Sequence, residues 1–298
     1  MIDKLLNFTK KIRPIGLSGL SIYDISSFFY KGLIEGAITT RASSLAFNFF
    51  LAFFPAIIVL FTLIPYIPVD GFQETLMDIL MNILPPSTNE ITLETLDDII
   101  NNQRGGLLSL GFVLAIYFST NGINSLIEAF NASYHISKTE SILKQRFLSL
   151  IITFTLTIIL IFTIALIIFG QFIINYLIEY EFINSNEKIL FNLAKWFILI
   201  SMLFLGISTI FNLGPSLKNK WRTFSPGAIF STVFIIVTSL GFTYYIDNFG
   251  QYNKIYGSIG TLIIILLWIY FNAIILLTGF EINASIINAK KKLNNLNI

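Results

Sequence analysis

The sequence predicts an all-α, polytopic integral membrane protein with six transmembrane helices and both termini in the cytoplasm. Three observations carry that expectation. Hydrophobic residues make up 55% of the chain and charged residues only 12%, against about 25% charged in a typical soluble domain; mean hydropathy is +0.76. Next, six stretches longer than twenty residues lack Asp, Glu, Lys and Arg altogether: Ala42–Val69, Gly105–Ile127, Phe147–Ile178, Trp196–Leu217, Thr223–Ile246 and Ile255–Phe280. Roughly 20 helical residues cross a hydrocarbon core about 30 Å thick. Backbone polar groups there must be satisfied within the segment, which selects helices over open strands. Finally, Lys and Arg alternate in density between connections. Fifteen fall on one side: Lys4, Lys10, Lys11, Arg13, Lys31, Arg41, Lys138, Lys144, Arg146, Lys218, Lys220, Arg222 and Lys290 to Lys292. Four fall on the other: Arg104, Lys188, Lys195 and Lys254. The positive-inside rule places the fifteen in the cytoplasm, and an even number of spans puts both ends there.

The chain is expected to form a single membrane domain over residues 1–298. Residues 1–41 form a cytoplasmic N-terminal segment, 42–281 the six-helix bundle, 70–104 an acidic external loop and 282–298 a cytoplasmic tail. The longest uncharged run among the first 41 residues, Pro14 to Tyr23, is too short for a signal h-region, so no cleaved leader is expected. Ile22–Thr40 places Ile22, Ile25, Phe28, Phe29 and Leu33 along one face with Asp24, Lys31 and Glu35 elsewhere, the pattern of an interfacial amphipathic helix.

Pro55 removes an amide donor from the first span and predicts a kink near Leu51. Asp70, Glu74, Asp78, Glu90, Glu94, Asp97 and Asp98 make the first external connection acidic. Its apolar residues recur at helical spacing on either side of Pro85-Pro86, predicting two short helices over the outer mouth. The loop either enriches cations near a vestibule or is simply a solvated face. The polar run Ser119–Asn124 in the second span either lines a water-filled path or hydrogen-bonds between helices. Asn212-Leu213-Gly214-Pro215 reads as a helix stop, and Ser225-Pro226 as an N-cap followed by Pro in the first turn.

Composition narrows the chemistry. The absence of Cys excludes disulfides and thiolate sites, and the single His, His135, cannot form a histidine cluster. A net charge of +2 offers no basic excess for nucleic acid. No phosphate-binding Gly-rich loop with Lys-Ser/Thr is present. No cofactor, metal or nucleic-acid partner is expected, and no enzymatic activity; the expected partners are the lipid bilayer and a small-molecule or ion substrate.

Charges at membrane depth are costly and normally face protein or water. Arg41, Glu128 and Glu281 stand at the cytoplasmic ends of the first, second and sixth spans. They form either an ion-pair cluster at a gate or substrate path, or a set of interfacial anchors that snorkel. Tyr252, Tyr256 and Gly257, in the Tyr252–Gly260 stretch at the outer end of the sixth span, read either as a packing hinge or as an outer gate.

Several of these residues form a recognisable pattern. Arg41-Ala42, Leu45-Ala46-Phe47 and Pro55 mark the first span, Asn131-Ala132-Ser133-Tyr134 closes the second, and Pro226-Gly227-Ala228 opens the fifth. Tyr256-Gly257-Ser258-Ile259-Gly260, Trp268-Ile269-Tyr270 and Gly279-Phe280-Glu281-Ile282-Asn283 follow. With these the chain resembles the YihY/BrkB family of bacterial inner-membrane proteins, formerly labelled ribonuclease BN, over about residues 25–290. Ala42-Ser43 departs from the Ala-Ala that commonly follows the Arg in that family. The resemblance implies a multi-pass protein of the bacterial cytoplasmic membrane that transports or exports a substrate. With the charges at membrane depth, this yields candidate gate or path residues Arg41, Glu128, Asn131, Tyr252, Tyr256, Gly257 and Glu281, with ion coupling through Glu128 or Glu281. A non-transporting protein that supports the envelope or scaffolds partners is the alternative. The ribonuclease label finds neither a ligand cluster nor a basic stacking surface.

Overall fold

The computed structural model describes residues 37–66, 102–133, 141–179, 188–215, 224–249 and 258–296. Every regular element among them is helical. They are α1 (Ile38–Leu63), followed by a short 3-10 turn at Ile64–Tyr66, then α2 (Gly105–Asn131), α3 (Ile142–Glu179), α4 (Lys188–Leu213), α5 (Pro226–Phe249) and α6 (Ser258–Leu296). All six are long and apolar enough to cross a membrane, so the chain is an all-helical membrane protein.

The helices overrun the charge-free stretches, because a helix goes on satisfying its own backbone after the apolar run ends. α1 starts at Ile38, behind a turn at Ala37 with φ of 45°. Arg41 thus sits on the first helical turn, its amide bonded to the Ala37 carbonyl at 3.1 Å. Residues 38–40, expected at the end of an interfacial helix, belong to α1; residues 22–36 of that helix lie outside the described residues, as do the two loop helices after Val69. α1 runs unbroken across Pro55. At the other end of the chain, α6 carries Glu281 and Asn283 within its length and continues through the expected tail to Leu296.

The described residues group into two compact units, one drawn from 1–46 and 123–298 and the other from 47–122. In the smaller unit, Asn121 donates to Asn48 at 3.0 Å and Gly122 lies against the ring of Phe49. In the larger, α6 packs on α5, α5 on α4 and α4 on α3. The α5–α6 contact is a glycine contact. A Cβ on Gly227 would overlap the Gly279 carbonyl, and one on Gly279 would overlap the Ser231 hydroxyl. α5 opens as its sequence requires, with Ser225 Oγ accepting the Ala228 amide at 3.2 Å. The Gly227 amide, a second orphan donor of that turn, is taken by Asn283 Oδ1 at 2.8 Å.

α3 is the most exposed of the six spans. Only 6% of its spanning window is buried, and Phe147, Phe154, Ile158 and Phe162 are exposed. Its Thr153, Thr155, Thr157 and Thr163 hydroxyls each donate to the carbonyl four residues back, so they add no unsatisfied group to an apolar surface.

Candidate functional site: a buried ion pair where three helices meet

The site is assembled from the first turn of α1, the last turn of α2 and the middle of α6. Arg41 points from α1 with 9% of its side chain exposed, and Glu281 of α6 is fully buried. Arg41 Nη2 donates to Glu281 Oε1 at 2.8 Å. Arg41 Nη1 donates to the Ala129 carbonyl at 2.6 Å, an oxygen in the last turn of α2, where carbonyls lack helical partners and the helix dipole is negative. The guanidinium therefore meets a full and a partial negative charge together. Ser133, just past α2, donates from Oγ to Glu281 Oε2 at 2.8 Å. Both carboxylate oxygens are thus engaged. Arg41 Nε is buried and has no partner among the described residues.

The surroundings are apolar. Phe130 is fully buried and stacks on Phe280 at 4.4 Å, with Phe211 of α4 edge-on to Phe130 at 5.7 Å. Phe130 and Phe280 adjoin Ala129 and Glu281 in sequence, and all four are buried. Low local polarity strengthens the attraction between the charges and raises the penalty for separating them.

Of the three charges expected at one depth, the structure joins two. Glu281 is buried, which sets aside its reading as a snorkelling anchor. Glu128 is exposed and accepts instead from Asn124 Nδ2 at 2.6 Å. Asn124 Oδ1 in turn accepts from Gln145 at 3.3 Å and Ser149 at 3.4 Å of α3. With Asn48–Asn121, this favours the interhelical hydrogen-bonding reading of the Ser119–Asn124 run. Asn131 is buried at the end of α2. Tyr252, Tyr256 and Gly257 lie outside the described residues. Among the described residues no group of three or more His, Cys, Asp or Glu could hold a metal ion.

Sequence reasoning missed Ser133, the Ala129 carbonyl and Asn283. Ser133 and Asn283 had a signal: Asn131-Ala132-Ser133 and Glu281-Ile282-Asn283 are tripeptides of the family-like pattern at the cytoplasmic ends of their spans. The carbonyl had none, because its role depends on where α2 ends.

The profile of the family described as Virulence factor BrkB matches residues 29–297. A Bacillus subtilis (strain 168) protein named as ribonuclease-like, YfkH, is 28% identical over 256 residues, covering 85% of this chain and 91% of the relative. The UPF0761 membrane protein NTHI0384 of Haemophilus influenzae (strain 86-028NP) is 25% identical over 271 residues, 90% and 96% of the two chains. The UPF0761 membrane protein Smlt0865 of Stenotrophomonas maltophilia (strain K279a) is 26% identical over 259 residues, 87% of this chain and 59% of that longer relative. No solved structure matches the chain.

Proposed function

We propose that this chain, which belongs to the virulence factor BrkB family, is a transporter or exporter of a small-molecule or ion substrate in the bacterial cytoplasmic membrane, with both termini inside. The observation that carries the reading is the buried Arg41–Glu281 pair tying α1, α2 and α6 together among membrane-spanning helices. Ionisable groups at such depth are expensive, and a substrate or ion pathway is the default hypothesis for them. Their exchange of partners would free the start of α1 and the end of α2 from the middle of α6 at once, the action a cytoplasmic gate needs. We assign no catalytic role to the chain.

The test compares small molecules inside and outside cells that lack the gene, carry it, or carry Arg41→Ala. At least one solute should redistribute on deletion, return with the wild-type gene and stay displaced with the variant. Identical solute distributions in all three strains would overturn the proposal. A second reading, structural support of the envelope without transport, is favoured by the buried phenylalanine cluster of Phe130, Phe211 and Phe280. It expects envelope fragility on deletion with no solute change.

A further inference from the structure

We propose, resting on the transport reading above, that Arg41 is the binding group for a monovalent oxyanion, a carboxylate or a singly charged phosphate ester. Each such anion binds together with one proton, which Glu281 holds while Arg41 is engaged.

The guanidinium supplies the first part of the case. It has five N–H donors in a planar fork suited to two-point recognition of carboxylate or phosphate. Glu281 contacts it through Nη2 alone and Ala129 through Nη1, while the buried Nε finds no acceptor among the described residues. A competing oxyanion could therefore make two bonds where Glu281 makes one. Lysine in place of arginine would offer a point charge and no fork.

The carboxylate supplies the second part. If Arg41 turned to another anion, Glu281 would remain fully buried, with the Ser133 hydroxyl its one remaining partner among the described residues. Unpaired buried charges neutralise themselves where they can, and a proton from the aqueous phase does this at Oε2. Ser133 suits both states, because a hydroxyl that donates to a carboxylate can rotate and accept from a carboxylic acid. Charge balances: Arg41 and Glu281 carry plus one and minus one before binding. Afterwards Arg41 and the substrate carry plus one and minus one, and Glu281 is neutral.

Among the described residues no charge besides Arg41 is bonded to Glu281. α1 brings Arg41, and α2 with its following turn brings the Ala129 carbonyl and Ser133. α4 brings Phe211 beside Phe280, and α5 brings Gly227 and Ser231 beside Gly279. Glu128 of α2 bonds Asn124, and Lys144 and Arg146 of α3 have interactions of their own.

The test uses the full-length protein in detergent with sodium acetate as the probe, against sodium chloride at equal ionic strength. Thermal stabilisation reports binding, and an indicator dye in lightly buffered solution reports protons. Wild-type protein should take up one proton per acetate bound, and its affinity should rise about tenfold per unit fall in pH, as one-proton linkage requires. Glu281→Gln, which frees the arginine from its counter-charge, should bind acetate without proton uptake and without that pH dependence. Ser133→Ala should keep the stoichiometry and shift the midpoint of the pH dependence. Arg41→Lys should lose binding. Acetate binding by wild type without protons, binding unchanged in Arg41→Lys, or no binding by wild type and Glu281→Gln alike would overturn the proposal. Proton-coupled binding without solute redistribution in cells would instead remove the transport reading and leave the site. Redistribution with proton-free binding would do the reverse.

Discussion

Glu281 has no solvent exposure, yet both its oxygens are engaged, one by Arg41 and one by Ser133. A pair of this kind contributes little net stability when compared with apolar replacements of similar shape, because desolvation offsets the attraction. Breaking it by removing one partner is different, since the survivor loses its counter-charge inside the protein, at a cost of about 3–5 kcal/mol. Arg41→Ala should therefore destabilise the protein by roughly that amount, and Arg41→Ala combined with Glu281→Gln should lose clearly less than the two single losses together. Unfolding in detergent, followed across the four members of the cycle, measures the coupling. Strict additivity would mean that the two side chains act independently. Glu128, exposed and bonded to Asn124 on its own helix, should show no comparable coupling to Arg41.

Helix ends and helix contacts set the next scale. The α5–α6 crossing depends on two glycines whose missing Cβ atoms admit backbone on one side and the Ser231 hydroxyl on the other. Gly227→Ala and Gly279→Ala should each lower folded yield and midpoint temperature sharply, since backbone cannot yield as a flexible side chain can. Gly241, on α5 like Gly227, has open space for 4 Å around the position that an alanine methyl would take. Gly241→Ala should be neutral or stabilise by up to about 1 kcal/mol, the helix-propensity difference. Size-exclusion profiles and thermal unfolding of the three variants check the contrast. The cap at the start of α5 makes a milder case: Ser225→Ala removes the acceptor of the Ala228 amide and should cost about 1 kcal/mol. The Asn283–Gly227 bond would still hold the turn.

For the molecule as a whole, the expected orientation follows from charge placement. With the fifteen-to-four division of Lys and Arg, the positive-inside rule puts the Arg41–Glu281 site on the cytoplasmic side. The native chain has no cysteine, so single substitutions report cleanly. Ser87→Cys should react with an impermeant maleimide added to intact cells, and Ser216→Cys should react only after the cells are opened. Labelling of Ser216→Cys in intact cells would invert the topology and move the ion pair to the outer face.

The sequence by itself determined the number of spans and the fold class, because the cost of charge in lipid writes each span as an unbroken apolar run. It also located the stop after Leu213 and the cap at Ser225, since these depend on neighbours in the chain. It marked Arg41 and Glu281 as costly residues worth attention, but left Glu128 equal to them. Only the tertiary structure chose between the partners. That choice rests on where α1 begins, how α2 ends at Asn131 and which face of α6 carries Glu281 inward. Residues 240 apart meet because helix packing brings their faces together, and hydrophobicity along the chain sets the depth of a residue without setting the direction it faces.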